Sequence, residues 1–367
     1  MRVLIIKSTP NSIILNTYNH QEIGIAKAFK DININCDIVC VSENETSYMK
    51  SIAYKNSAIN IHYIKAKIMF NIVFYDNNEI STLIEEYDYV ITHEIFQYES
   101  FKLSKLIPEK LVILHGPYKF GLSLLGKCKS FILYLLFFYR YKKNNVSIIA
   151  KSKLAKIFLN RLGFFKVKYI PIGLDHEMVN MSESDFSKAL KSRKNGNQYL
   201  YVGKIERRRN IKFLFDVFAR LKDFDKQSKL VIIGDFNSRY GKKMLKYAND
   251  LCILNSIIIK DKLTQNEIGE IYNLSDAFLF PTKYDIYGMV LLESIYYKLS
   301  IYSSNNGGSS SLDNYKNLYV VTNFNVEEWV DTIKQTSNNF HFSKNVSEFN
   351  TSWNSLIDEY INVFQEI

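Results

Sequence analysis

Phe280-Pro-Thr-Lys-Tyr-Asp285-Ile-Tyr-Gly288-Met-Val-Leu-Leu-Glu293-Ser294 is the stretch around which the chain is organised. Just before it, Ala277-Phe278-Leu279-Phe280 is an apolar run stopped by Pro281, which reads as a buried strand. Just after Gly288, the apolar run Met289 to Leu292 opens a helix. Asp285 therefore falls in a strand-to-helix loop, and Glu293, eight residues on, lies more than one turn into the helix. Both carboxylates can border one crevice at the carboxyl end of a strand, where an open α/β sheet binds its ligand. The first N–H groups of the helix, around Gly288-Met289-Val290, make an anion site, and Gly288 lets a ligand approach the backbone. The bland alternative is an ordinary strand-loop-helix with two solvated acids.

Outward from this stretch the chain alternates strand and helix patterns. In the first half, strands are expected at Val3 to Ile6, Asp37 to Val41, Asp88 to Thr92, Leu111 to Leu114 and Val146 to Ala150, with helical patterns between them. That order gives a parallel sheet with helices on its faces. In the second half, Tyr199 to Val202 ends at Gly203 and is followed by Lys204-Ile-Glu-Arg-Arg-Arg209 and a helix from Ile211 to Leu221. Leu230 to Ile233 leads into Gly234-Asp235. Two histidines, His93 and His115, end strands on the side where ligands should bind; the ordinary reading of either is a hydrogen-bonded loop residue.

The Asp285 to Glu293 spacing, with Asn306-Gly307-Gly308-Ser309 after it, resembles the donor-binding signature of the retaining nucleotide-sugar glycosyltransferases of family 4. The family has two glutamates eight apart with Gly-Phe-Gly-Leu between them; here the first acid is Asp. Gly203-Lys204-Ile with Arg209 is similar to the family's Gly-Arg-Leu and later Lys, which lie on the donor diphosphate. Pro171-Ile-Gly-Leu-Asp175 is similar to the end of the family's first domain, with Ile172 where asparagine is usual. The Leu-His115-Gly context is similar to the family histidine that reaches the transferred sugar. The family's early glycine pair is missing from the first loop, which carries Tyr18-Asn-His20 instead.

The resemblance implies the GT-B fold: two Rossmann-like α/β domains facing a cleft, with a C-terminal helix crossing back. It divides the chain into an acceptor-binding domain at 1–175, on which a final helix at 346–367 packs, a linker at 176–197 and a nucleotide-sugar-binding domain at 198–345. It implies Asp285, His115, Lys204 and Arg209 as the catalytic set. The donor site comprises these with Gly203, Gly234, Tyr287, Gly288, Met289, Val290 and Glu293, while Tyr18, His20, His93 and Tyr118 face the acceptor. Lys204, Arg209 and the helix start would supply the positive charge that metals supply elsewhere, so no obligatory divalent ion or other cofactor is expected. Asp223-Phe-Asp225, which matches a metal-binding pattern, reads as an exposed turn after a helix. The implied function is hexosyl transfer, with retention, from a nucleoside diphosphate sugar, UDP-sugar first, to a glycan or lipid-linked acceptor of a bacterial capsule, O-antigen or lipooligosaccharide. Asp in place of Glu and the missing glycines leave a second reading open, a catalytically degenerate binding or scaffold subunit.

Composition bounds the rest. With 367 residues, 47% of them apolar, the chain can form two ordinary domains. Its four cysteines, Cys36, Cys40, Cys128 and Cys252, lack metal-ligand spacing and read as reduced cytosolic core cysteines. The net charge of +10 is uneven: 102–168 carries fifteen Lys and Arg against the single acid Glu109, and the remainder is about −4. Within that block, the apolar run Phe131 to Tyr139 is bracketed by lysines. It suits a helix lying in an anionic membrane surface on the cytoplasmic side, or else a core helix with basic ends. No nucleic-acid reading head appears. The start, Met-Arg-Val-Leu-Ile-Ile-Lys, reads as a first strand rather than a signal peptide.

Overall fold

The structure, a computed structural model, describes residues 1–15, 20–178, 182–192, 195–337 and 349–367. These form two compact units, Met1–Asp175 with Ser352–Ile367, and His176–Thr351.

The first unit contains, in chain order, β1 (Arg2–Ile6), α1 (Gln21–Asp31), β2 (Asn35–Val41), β3 (Tyr48–Tyr54), β4 (Ser57–Ile64), β5 (Ala66–Met69), β6 (Ile72–Tyr75), α2 (Asn77–Glu85), β7 (Tyr89–His93) and α3 (Tyr98–Leu106). It continues with β8 (Leu111–His115), α4 (Leu124–Lys143), β9 (Ser147–Ala150), α5 (Lys153–Arg161) and β10 (Val167–Tyr169). Eight strands form one sheet in the order β10-β9-β8-β7-β1-β2-β4-β3, parallel apart from the antiparallel β3–β4 pair. β5 and β6 pair only with each other, as an antiparallel hairpin. The central strands are buried on both faces, which is why they read as unbroken Val, Ile and Leu runs.

The second unit contains α6 (Asp185–Ser192), β11 (Gln198–Val202), α7 (Ile211–Phe224), β12 (Lys229–Ile233), α8 (Arg239–Asp250), β13 (Ile257–Lys260), α9 (Gln265–Leu274), β14 (Ala277–Phe280), α10 (Met289–Tyr296), β15 (Ser300–Ser303), β16 (Leu318–Val320) and α11 (Val326–Thr336). Its six strands are all parallel, in the order β13-β12-β11-β14-β15-β16. The polar run read as a linker contains α6, which buries Leu190 and ties Lys191 to Glu270 at 2.9 Å. An eight-residue helix with only Phe186 and Leu190 as strongly apolar positions is easily read as loop.

The chain ends on a 3₁₀ turn, Trp353–Leu356, and α12 (Ile357–Gln365), both in the first unit; residues 346–348 of the expected final helix lie outside the described residues. Phe364 stacks on Phe29 of α1, their ring centroids 5.8 Å apart, and Trp353 is buried, packing rather than reacting.

In each sheet the strand order reverses beside a central strand. Successive strands from β1 run outward through β2 and β4, whereas β7 to β10 run the other way. β11 to β13 and β14 to β16 do the same. The loops after β1 and β7, and those after β11 and β14, therefore flank the two switch points.

Candidate functional site

The site in the second unit lies at the carboxyl ends of β11 and β14, which are neighbours. After β11 the chain turns at Gly203, exposes the Lys204 side chain and passes through a 3₁₀ turn at Arg207–Arg209. After β14 it runs from Pro281 to Gly288, where φ is +80°, a left-handed conformation natural to glycine, and enters α10 with no side-chain cap on the first turn. Hydrogen bonds join the two loops. The Lys283 N–H donates to the Arg208 carbonyl at 2.8 Å, and the Arg208 guanidinium donates to the Tyr284 carbonyl at 3.0 Å.

Asp285 and Arg209 pair directly, a carboxylate oxygen against Nη1, with Arg208 Nη1 3.6 Å from the same oxygen. The resemblance sends Arg209 to a diphosphate and Asp285 to a sugar; here each holds the other. Arg209 Nε is buried without a hydrogen-bond partner, so the guanidinium keeps donor capacity beyond the pair. The other Asp285 oxygen accepts the Tyr287 N–H at 3.3 Å.

Glu293 is buried in the middle of α10. Gln265 Nε2 donates to one of its oxygens at 3.0 Å and the Tyr272 hydroxyl to the other at 2.8 Å. Burial raises its pKa, and these two hydrogen bonds only partly offset that. Each carboxylate oxygen still has one lone pair to offer, the pattern that suits a vicinal diol.

The Asn306-Gly307-Gly308-Ser309 loop braces the site from behind. The Gly307 N–H donates to the Asp285 carbonyl at 3.1 Å, and a Cβ on Gly307 would stand 1.7 Å from the Ile286 carbonyl oxygen. Gly234, after β12, is equally tight: a Cβ there would meet the Gly203 carbonyl at 2.4 Å. The Tyr287 side chain is buried, so toward a ligand this residue offers backbone. Met289 and Val290, half-buried, begin α10. Gly203, Lys204, Arg209, Asp285, Gly288, Met289, Val290 and Glu293 are thus gathered around the β11–β14 switch point, with Gly234 one strand away.

The first unit carries a second cluster, at the carboxyl ends of β1, β7, β8 and β9. Lys7 Nζ is 3.4 Å from Glu22, and His93 Nδ1 is 3.5 Å from the same carboxylate. Burial alone would raise Glu22, but Lys7 and His93 outweigh it and hold the group down to about 2. Burial and Lys151 take His93 down to about 3, so it is neutral at pH 7. His115 is fully buried, with Nδ1 2.8 Å from Glu94 and its ring between Phe96 and Phe158 at centroid distances of 5.6 and 6.2 Å.

Glu94 is the group this corner presents. Its φ is +68°, unusual for a non-glycine residue, and its side chain is partly exposed. Burial opposes its ionisation, but His115, Lys151 and the Gly116 N–H bring its pKa below the usual range. His20 is buried, with Nε2 3.0 Å from the Ile14 carbonyl, and Tyr118 is half-buried with the Lys119 ammonium 5.8 Å from its ring centre. Tyr18 lies outside the described residues.

Lys7, Glu22, Glu94, Lys151, Gln265 and Tyr272 are absent from the sequence expectations. A signal for three of them exists: Lys7, Glu94 and Lys151 are each a charge set at the carboxyl end of an apolar strand. Asp225 accepts from the Asn197 and Gln227 N–H groups and the Ser228 hydroxyl, and Asp223 pairs with Arg220, so both acids of the Asp-x-Asp stretch serve local structure.

Residues 182–353 match the family model described as glycosyl transferases group 1. The chain is 26% identical over 232 residues to the capsular polysaccharide biosynthesis glycosyltransferase CapH of Staphylococcus aureus, which covers 59% of this chain and 60% of that protein. It is also 26% identical over 177 residues to the lipopolysaccharide 1,2-N-acetylglucosaminetransferase of Salmonella typhimurium, 46% of either chain. The chain thus spans about half to 60% of the length of these curated relatives. Among solved structures, Anabaena HepE in complex with UDP superposes with a TM-score of 0.72 at 12% identity over 100% of both chains. The sucrose-phosphate synthase of Thermosynechococcus elongatus gives 0.71 at 12% identity, over 100% of this chain and 97% of that one. Residues 182–353 are thus similar to the glycosyl transferases group 1 model, within a chain that has the GT-B fold.

Proposed function

We propose that the protein is a retaining glycosyltransferase that moves a hexose-type sugar from a nucleoside diphosphate sugar, UDP-sugar first, to a glycan or lipid-linked acceptor in bacterial surface-polysaccharide synthesis. The observation that carries this is the convergence of Lys204, Arg209, the Gly288 turn and Glu293 at one switch point. Relatives named for capsule and lipopolysaccharide synthesis, and a neighbour of like fold bound to UDP, support it.

Glu293 accepts the ribose diol on its remaining lone pairs. Lys204 acts as a point charge on the diphosphate, and Arg209 brings the donors not engaged by Asp285. The α10 start adds its dipole, so the leaving charge is met by groups already in place and no divalent ion is required. Asp285 orients Arg209 and, through it, the sugar. The acceptor hydroxyl attacks carbon one on the face from which the diphosphate departs: the new carbon–oxygen bond forms as the old one breaks, and a diphosphate oxygen takes the proton. His115 acts on the acceptor side through Glu94, alongside His20, His93 and Tyr118.

The work place is the inner face of the cell membrane. α4 supports this, because its outward residues are apolar, with Leu125 84%, Leu136 64% and Tyr139 73% exposed, and its last turn is basic. No helix among the described residues is long and apolar enough to cross a membrane. A second reading, a binding subunit without turnover, draws on the Arg209–Asp285 pair, which occupies both groups with each other. Transfer assays with UDP-sugars in EDTA, followed by NMR of the product linkage, separate the two. An anomeric configuration equal to that of the donor is expected. An inverted product would overturn the mechanism, and UDP binding without any product, across donors and acceptors, would favour the subunit.

A further inference from the structure

The β5–β6 hairpin closes on Phe70-Asn71, both left-handed, with φ of +51° and +61°. A two-residue turn of this kind is normally built from Asn and Gly, because a residue with a bulky side chain is strained there. Phe70 recovers nothing from packing, since its side chain is 83% exposed, and its neighbours Ile68 and Met69 are 45% and 44% exposed. The tip is nevertheless held in place: Gln97 Nε2 donates to the Asn71 carbonyl at 3.2 Å, and Lys129 Nζ to the Phe70 carbonyl at 2.9 Å. Lys129 belongs to α4, so the bond fixes an exposed aromatic tip beside a helix whose outward face is also apolar.

We propose that this tip is a wedge that enters the boundary between headgroups and acyl chains of an anionic bilayer, seated together with the outward face of α4. The inference rests on the membrane reading above and adds the element that inserts. Charge selects the occupant. α4 belongs to the 102–168 segment carrying +14, with Lys127, Lys142 and Lys143 along it, and the hairpin, outside that segment, adds Lys67. A second copy would present the same positive field and be repelled, whereas anionic lipid is attracted while the apolar side chains leave water.

Phe70→Trp places a fluorophore at the tip, against two native tryptophans, Trp329 and Trp353, that are buried and give a constant background. With the full chain and vesicles of mixed phosphatidylglycerol and phosphatidylcholine, its emission is expected to shift to the blue, and not with phosphatidylcholine alone. Phe70→Asn suits the left-handed turn, so it should melt no lower than the parent while its partition onto the same vesicles falls by roughly ten-fold, the loss of one buried aromatic side chain. If the parent binds these vesicles but Phe70→Trp shows no shift and Phe70→Asn binds equally, the wedge is wrong and the membrane reading stands. If the parent does not bind them at all, both fall. A blue shift that grows with protein concentration in the absence of lipid would identify a self-association face and overturn the proposal.

Discussion

Glu293 shows how burial and hydrogen bonding divide a carboxylate between structure and ligand. Gln265 and Tyr272 take one lone pair on each oxygen and fix the side chain, and the two that remain are what a ribose diol needs. Glu293→Ala is expected to weaken UDP and UDP-sugar alike by roughly 1–3 kcal/mol, as for a lost hydrogen bond to a charged group. Asp285→Asn should change the affinity for UDP as well as for the UDP-sugar, because Asp285 holds the Arg209 guanidinium that meets the diphosphate; isothermal titration calorimetry reads both. Because burial raises the Glu293 pKa and the ionised form is the better acceptor, nucleotide affinity should already decline at a pH where an ordinary glutamate is still charged. In Glu293→Ala that decline should vanish. At this scale the two acids were legible from their spacing, but Gln265 and Tyr272 were not, because they come from α9, and local sequence does not encode which side chain of one helix faces another. Nor did a histidine ending a strand reveal that His115 would be walled in by Phe96 and Phe158.

Among the elements, the loop after β14 keeps its shape through contact with the Asn306–Ser309 loop. Gly307→Ala would push a methyl carbon to 1.7 Å from the Ile286 carbonyl, so one loop must move. A stability loss of roughly 1–3 kcal/mol, typical of overpacking, is expected in chemical denaturation, together with loss of the nucleotide-induced rise in melting temperature. An unchanged nucleotide response would show that the brace is dispensable. The parallel strands were readable as apolar runs interleaved with helical patterns. β3 to β6 were not, because they are short or half-exposed and the Phe70-Asn71 turn lacks the glycine that marks a hairpin. α4 was ambiguous for a different reason. It is apolar on both its packed and its outward faces, so periodicity could not tell core from surface, and only the fold did.

For the whole molecule, charge and donor chemistry are separate matters. The +14 segment lies in the first unit, and the donor residues lie in the second. Replacing Arg140, Lys142 and Lys143 with Ser is therefore expected to release the protein from phosphatidylglycerol vesicles in a sedimentation assay while leaving UDP affinity unchanged, since each cation near such a surface contributes about 1 kcal/mol. Retention of vesicle binding by the triple variant would remove the electrostatic account. The most direct test of the central claim is a thermal-shift measurement of the full chain with uridine, guanosine and cytidine diphosphates and their common sugars, in EDTA, because a ligand that binds only the folded state raises its melting temperature. A uridine-selective rise that survives the chelator and disappears in Glu293→Ala is expected. No rise with any nucleotide, or one that requires a divalent ion, would contradict the metal-independent donor site.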